Sequence, residues 1–276
     1  MAELFGARLR ERRRELGALC VGIDPSASVL ESWGRPPTIE GLEYVAREIL
    51  EVVGELVAVV KVQVAFFERF GSAGLRVLES LLGDARDVGV VTIADAKRGD
   101  IASTNEGYAE AWLGAGSPLR SDAVTASPYL GVAALAPLYR VAAETGRGFF
   151  VLAATSNDEG RLVQDARDVQ GRRVRDLVLD DVAAYNDRLD GLGSLGVVLG
   201  ATREPPAFDL SRLGGPVLVP GVGTQGGSLE QVARLSAACA PDTVIVNVSR
   251  AIAAAGPDRR ALRDATRRWR DDAAVL

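Results

Sequence analysis

The stretch VTIADAKRGDIAST, residues 91–104, runs from apolar residues straight into two acids, a lysine and an arginine. Charges crowded at the end of a buried strand are expensive to desolvate, and clusters of this kind concentrate at functional sites. Asp95 and Lys97 are two apart, so an extended strand points both side chains to one face. Lys61, in AVVKVQ (58–63), and Asp24, in LCVGID (19–24), also stand at or near the ends of apolar runs. A lone Asp-x-Lys reads as a structural ion pair; four charges from three neighbouring runs read as a reaction centre. An ammonium held among carboxylates can stabilise negative charge developing on a substrate and then deliver a proton to it.

A second group complements the first. GVGTQGG (221–227) has glycines that let backbone N–H groups, Gly223 among them, approach an anion closely. Gln225 lies in that run, and Arg250 in NVSRAI (247–252) carries the fork-shaped donor suited to phosphate. Together they suggest a phosphorylated substrate.

The elements that must position these residues are legible as eight short apolar runs, at 19–24, 58–63, 90–97, 123–128, 148–156, 195–202, 216–222 and 243–249. They are near-continuously apolar, as strands buried on both faces are. Helical periodicity lies between them: apolar residues recur at Leu42, Val45, Ile49 and Val53, and again at Val174, Leu177, Val178, Val182 and Tyr185. Eight β/α alternations predict an α/β fold, an eight-stranded parallel TIM barrel, as a single domain over 1–276 with an N-terminal helix. An open doubly wound sheet is disfavoured because no GxGxxG follows the first strand. The polar stretches 157–171 and 203–215 read as long rim loops. In such a barrel the carboxyl ends of the strands carry function, with phosphate held after strands seven and eight. Asp24, Lys61, Asp95, Lys97, Ser156 and the glycine-rich run all fall at that end.

Composition removes several alternatives. The chain has 276 residues and no histidine, which excludes a histidine base, a Ser-His-Asp triad and histidine metal ligands. Lysine and arginine total 32, yet Lys61 and Lys97 are the only lysines. Lysine is a compact ammonium whose proton affinity responds to its site, so these two positions are ones where arginine would fail. Cys20 and Cys239 match no metal or CxxC spacing and read as apolar fillers in a reducing cytoplasm. The charged N-terminus lacks a signal-peptide core, no run reaches membrane-span length, and the net charge is −5. The expectation is a cytoplasmic protein that binds neither membrane nor nucleic acid. The basic run RERRR (10–14) reads as a solvated helix face.

DAKRGD (95–100) resembles the DxKxxD signature of the orotidine 5′-phosphate decarboxylase family. CVGIDP, VVKVQVAFFE, VTASPYLG, VLAATSN, LVPGVGTQGG and NVSRAI resemble the same family in order along the chain, most closely its longer bacterial subgroup. The resemblance implies decarboxylation of orotidine 5′-phosphate (OMP) to UMP and CO2, the last step of de novo UMP synthesis. It implies that Asp24 and Lys61 hold the ribose hydroxyls and that Asp95 and Lys97 flank C6 of the pyrimidine. Ser156 would contact the base, and Gln225 and Arg250 would bind the phosphate. Asp100 and Thr104 would reach across a homodimer interface into the neighbour's site. No metal or organic cofactor is implied. Three rivals share the barrel. A magnesium-dependent decarboxylase of a keto-sugar phosphate is disfavoured by the missing histidine. A lysine Schiff-base aldolase needs a neutral amine, and here carboxylates flank Lys97. A non-enzymatic phosphosugar-binding barrel would need no paired Asp and Lys beside its phosphate site.

Overall fold

A computed structural model describes residues 3–187, 191–203 and 208–276. Eight parallel strands close into a barrel in chain order. They are β1 (Leu19–Ile23), β2 (Val59–Gln63), β3 (Val91–Arg98), β4 (Ala123–Ala126), β5 (Gly148–Ala154), β6 (Leu195–Leu199), β7 (Val217–Val219) and β8 (Val244–Val248). The α-helices are α1 (Phe5–Leu16), α2 (Ala27–Ser32), α3 (Ile39–Val53), α4 (Ala65–Glu68), α5 (Gly71–Val88) and α6 (Ala102–Leu113). After them come α7 (Ala136–Thr145), α8 (Arg161–Gln164), α9 (Val174–Asn186), α10 (Leu229–Ser236), α11 (Arg250–Ala253) and α12 (Arg259–Asp272). All eight expected strands are present; seven are shorter than their apolar runs, and β3 is as long as its run but shifted one residue toward the carboxyl end. Among the described residues no helix is long and apolar enough to cross a membrane.

The alternation of side chains along each strand makes two cores. Outward residues such as Val21, Val60, Val62 and Val151 pack under the helices. α3 shows how a helix supplies its half. The Thr38 hydroxyl caps its N-terminus by accepting the Gly41 N–H, and Leu42, Val45, Ile49 and Val53 are buried as the periodicity predicts. Inward residues, including Cys20, Ile93, Phe150 and Leu218, fill the barrel itself. α1 plugs the amino-terminal end of that interior. Phe5 stands edge-on to Phe150 at 6.1 Å, and Gly148 leaves the space its ring occupies. With that end stoppered, the barrel interior opens to ligand at the carboxyl end.

Three expectations need correction. RERRR is not wholly a solvated face: Arg13 is buried and donates to the Val244 carbonyl, Asp242 and the Leu276 carbonyl, pinning α1 to the barrel floor. Burial favours losing the Arg13 proton, an effect the nearby Asp242 counters. α9 is rotated from the predicted face. It buries Arg175, Val178, Leu179 and Val182, while Val174, Leu177 and Tyr185 are half-buried, because Arg175 turns inward to pair with Asp165 at 3.4 Å. The stretch 157–171 is not an extended loop. It folds into a 3-10 turn (Asp158–Gly160) and α8, and 203–215, where described, holds another such turn at Leu210–Arg212.

Candidate active site

A cavity of about 290 Å³ opens at the carboxyl end of the barrel. Asp24, Lys61, Asp95, Lys97, Ser156, Gln225 and Arg250 all line it. The structure thus brings together residues spread over 227 positions of sequence, Asp95 and Lys97 from β3 and the others from β2 or from the segments that follow β1, β5, β7 and β8.

Asp95 is the hub. Its Oδ2 accepts from Lys61 Nζ at 2.9 Å and Gln63 Nε2 at 3.1 Å; its Oδ1 accepts from Lys97 Nζ at 2.6 Å and the Thr125 hydroxyl at 2.8 Å. Four donors occupy the four lone-pair positions of one carboxylate. Burial alone would raise the Asp95 pKa, but Lys61 and Lys97 overcome it and hold the carboxyl well below the usual range. Burial likewise works against charge on Lys61, and Asp95 and Asp24 reverse the outcome, so its proton is held more firmly than on a free lysine. Lys61 is enclosed, whereas the Lys97 side chain is 45% exposed and faces the cavity. One lysine is built into the wall and the other is presented to a ligand.

Asp24 lies beside this pair, its Oδ1 at 3.8 Å from Lys61 Nζ. That oxygen is buried and accepts no hydrogen bond from the described residues. A buried acceptor without a donor is a place for a ligand hydroxyl. Beneath it, Cys20 Sγ donates to Asn247 Oδ1 at 3.5 Å; burial pushes the thiol pKa up to about 12, so it is an inert filler as expected.

The opposite wall comes from β5, β7 and β8. The Ser156 hydroxyl donates to Gln225 Oε1 at 3.1 Å, linking the turn after β5 to the loop after β7. That loop is a compact turn in which Gly221, Gly223 and Gly226 take φ of 95°, 81° and 85°, values that favour glycine. Gly223 shapes the turn rather than lining the cavity: its N–H is taken by the Gly227 carbonyl at 2.9 Å and its α-carbon backs onto Ala251 and Trp269. Arg250 is exposed at the cavity mouth, at the start of α11.

Asp100 and Thr104 do not join this cavity. Asp100 Oδ1 accepts the Ile101 N–H at 2.7 Å, and Thr104 is exposed in the first turn of α6. Sequence reasoning passed over Gln63, Thr125, Thr155, Asn157 and Asn247, which line the cavity beside the expected residues. Gln63 carried a signal, since it stands two after Lys61 on the same strand. Thr125 had none, because its partners are on another strand.

The i, i+2 argument for Asp95 and Lys97 reached the right contact by an incomplete route. The β3–β4 register jumps from Ala94–Val124 to Arg98–Ala126, so β3 spends four residues where β4 spends two. Within this bulge Lys97 has φ 48°, a left-handed conformation uncommon for a residue with a side chain. The ammonium returns to Asp95 through that kink and not by simple alternation.

Residues 17–265 match the Orotidine 5′-phosphate decarboxylase / HUMPS family. The orotidine 5′-phosphate decarboxylase of Salinispora tropica is 49% identical over 266 residues, covering 96% of this chain and 95% of that protein. That of Corynebacterium efficiens is 49% identical over 262 residues, covering 94% and 92%. A crystal structure from Streptomyces avermitilis, assigned as a candidate orotidine 5′-phosphate decarboxylase, is similar at a TM-score of 0.91 and 48% identity, covering 100% of this chain and 97% of that one. The crystal structure of a Leishmania donovani OMP decarboxylase is similar at a TM-score of 0.77 and 30% identity, covering 99% and 98%. With the barrel, the charged hub and the phosphate-suited loop already in view, these matches establish that the chain belongs to the orotidine 5′-phosphate decarboxylase family.

Proposed function

We propose that the chain, as one barrel domain in a cytoplasmic homodimer, converts orotidine 5′-phosphate to UMP and CO2. The observation that carries this reading is the Lys61–Asp95–Lys97 array facing, across one cavity, the Ser156–Gln225 link and Arg250. Two charged walls of different chemistry suit a substrate with a phosphate at one end and an anionic reacting centre at the other.

In this reading the C6 carboxylate of the base comes against Asp95. The C6–carboxylate bond breaks, its electron pair stays on C6, and neutral CO2 leaves. The Lys97 ammonium stabilises that carbanion and transfers one Nζ proton to C6, and the amine regains a proton from solvent through its exposed face. Lys61 stays charged throughout and fixes Asp95. The unpartnered Asp24 oxygen accepts from a ribose hydroxyl, with Lys61 donating beside it. Arg250 and Gln225 hold the phosphate, remote from C6, so that binding energy there presses the base against the charged array. Asp100 and Thr104, which lie outside their own chain's cavity, serve the neighbouring subunit's site.

The chemistry assigned to these residues needs no metal, and the test follows from that. Purified protein should consume orotidine 5′-phosphate, read as loss of substrate absorbance, with EDTA in excess. Turnover abolished by chelation and restored by magnesium would favour the keto-sugar-phosphate reading instead.

A further inference from the structure

We infer that Thr125 is a positioning residue for the decarboxylation proposed above, acting through the backbone of Lys97 and the carboxylate of Asp95. The inference rests on that functional reading. It starts from one hydroxyl that touches both members of the charged pair. Thr125 Oγ1 accepts the Lys97 backbone N–H at 2.9 Å and donates to Asp95 Oδ1 at 2.8 Å. The polarity is forced. A backbone N–H can only donate, so the threonine proton goes to the carboxylate.

The location explains why a side chain is needed there. Between Ala94–Val124 and Arg98–Ala126 the β3–β4 ladder is interrupted, and the Lys97 N–H cannot reach a β4 carbonyl in register. Thr125, in the middle of that gap on β4, supplies a side-chain acceptor in place of the missing carbonyl. It therefore stabilises the one backbone conformation, left-handed at Lys97, that turns the ammonium back onto the cavity face. Its methyl packs as any β-branched strand residue would, and the β branch restricts χ1, so the hydroxyl is aimed before a ligand arrives.

The bland alternative is that Thr125 is an ordinary core residue. It is 1% exposed, in a barrel whose β4 neighbours Ala123, Val124 and Ala126 are apolar. A valine has the same shape, and a buried hydroxyl with no task would be the costlier choice. The hydroxyl is spent wholly on Asp95 and Lys97, and Thr125 lies beside Lys97 on the cavity lining.

The test is a comparison of Thr125→Val with Thr125→Ser. Valine keeps the volume and removes both hydrogen bonds; serine keeps both and removes the methyl. Misplacing a reacting group by about an ångström costs roughly a hundredfold in rate. The expected result is a fall of about that size in kcat for the valine variant, with KM within about threefold, because the phosphate and ribose contacts are untouched. The serine variant should stay within about fivefold of wild type in kcat. If the valine variant does not fold, Thr125→Ala takes its place under the same criteria. A valine or alanine variant with kcat near wild type, even at lowered Tm, would show a purely structural threonine and overturn the inference. So would a serine variant as slow as the valine one. Wild-type protein that fails to turn over orotidine 5′-phosphate would instead sink the functional reading, which separates the two failures.

Discussion

If Asp95 opposes the substrate carboxylate, removing its charge should tighten substrate binding even as it harms the site. The perturbation is Asp95→Asn, made in a Lys97→Ala background so that turnover is nearly abolished and orotidine 5′-phosphate can be bound at equilibrium. Two unit charges about 4 Å apart interact by about 4 kcal/mol at an effective dielectric of about 20. Lys61, 2.9 Å from Asp95, attracts the same carboxylate, but it is present with and without the substitution and cancels in the comparison. The deleted charge therefore contributes at most about 4 kcal/mol, roughly a thousandfold in Kd, and water in the open cavity reduces that. A gain of about tenfold or more is expected. UMP lacks the carboxylate and serves as the internal control, with a change within about threefold. Calorimetry with both ligands reads the difference. Stability should move the other way. The neutral amide leaves the buried Lys61 ammonium without its nearest countercharge, and breaking a buried pair costs about 3–5 kcal/mol, here near the lower end because Asp24 remains 3.8 Å from Lys61. If orotidine 5′-phosphate and UMP shift together, or the substrate fails to tighten, Asp95 does not face the leaving carboxylate.

Lys97→Arg should retain less than about a tenth of wild-type turnover although the charge is kept, since a guanidinium is bulky and a poor proton donor; activity within tenfold would mean that Lys97 is not the acid. The acid stability of the hub follows from Asp95, whose folded-state pKa is depressed below its unfolded value near 3.9. Its contribution is fully present above about pH 4 and lost as pH falls toward the folded pKa, so on the acid side the Tm gap between wild type and Asp95→Asn should hold from about pH 7 down to about pH 5 and close below about pH 4. For the shared site, Lys97→Ala and Asp100→Ala homodimers should each be nearly inactive. Re-equilibrating them in equal amounts should restore roughly a quarter of wild-type activity, because half the molecules are heterodimers with one intact site in two; verified heterodimers that stay inactive would place Asp100 in its own subunit's site.

The barrel was legible because strands buried on both faces read as unbroken apolar runs, and any charge at their ends stands out against that background. Asp24, Lys61, Asp95 and Lys97 were found that way, and the missing histidine narrowed their chemistry before any geometry was known. What stayed hidden were contacts between elements distant in sequence. Arg13 looks like its neighbours Arg12 and Arg14, yet it alone of the three is buried, against Asp242 and the chain's carboxyl end. Arg175 sits in a helical pattern that favours an outward arginine, and Asp165, in a stretch that read as loop, draws it in. Asp100 and Thr104 carry no local signal for the cavity, in keeping with their position outside it. The bulge at Lys97 is the sharpest case. DAKRGD shows which charges meet, but the conformation that makes them meet depends on a neutral hydroxyl 28 residues away on the next strand. Charged residues in this site announce the reaction. The neutral ones that aim them, Thr125 and Gln63 on flanking strands, become visible only when the sheet is assembled, because their partners are set by strand pairing and not by sequence spacing.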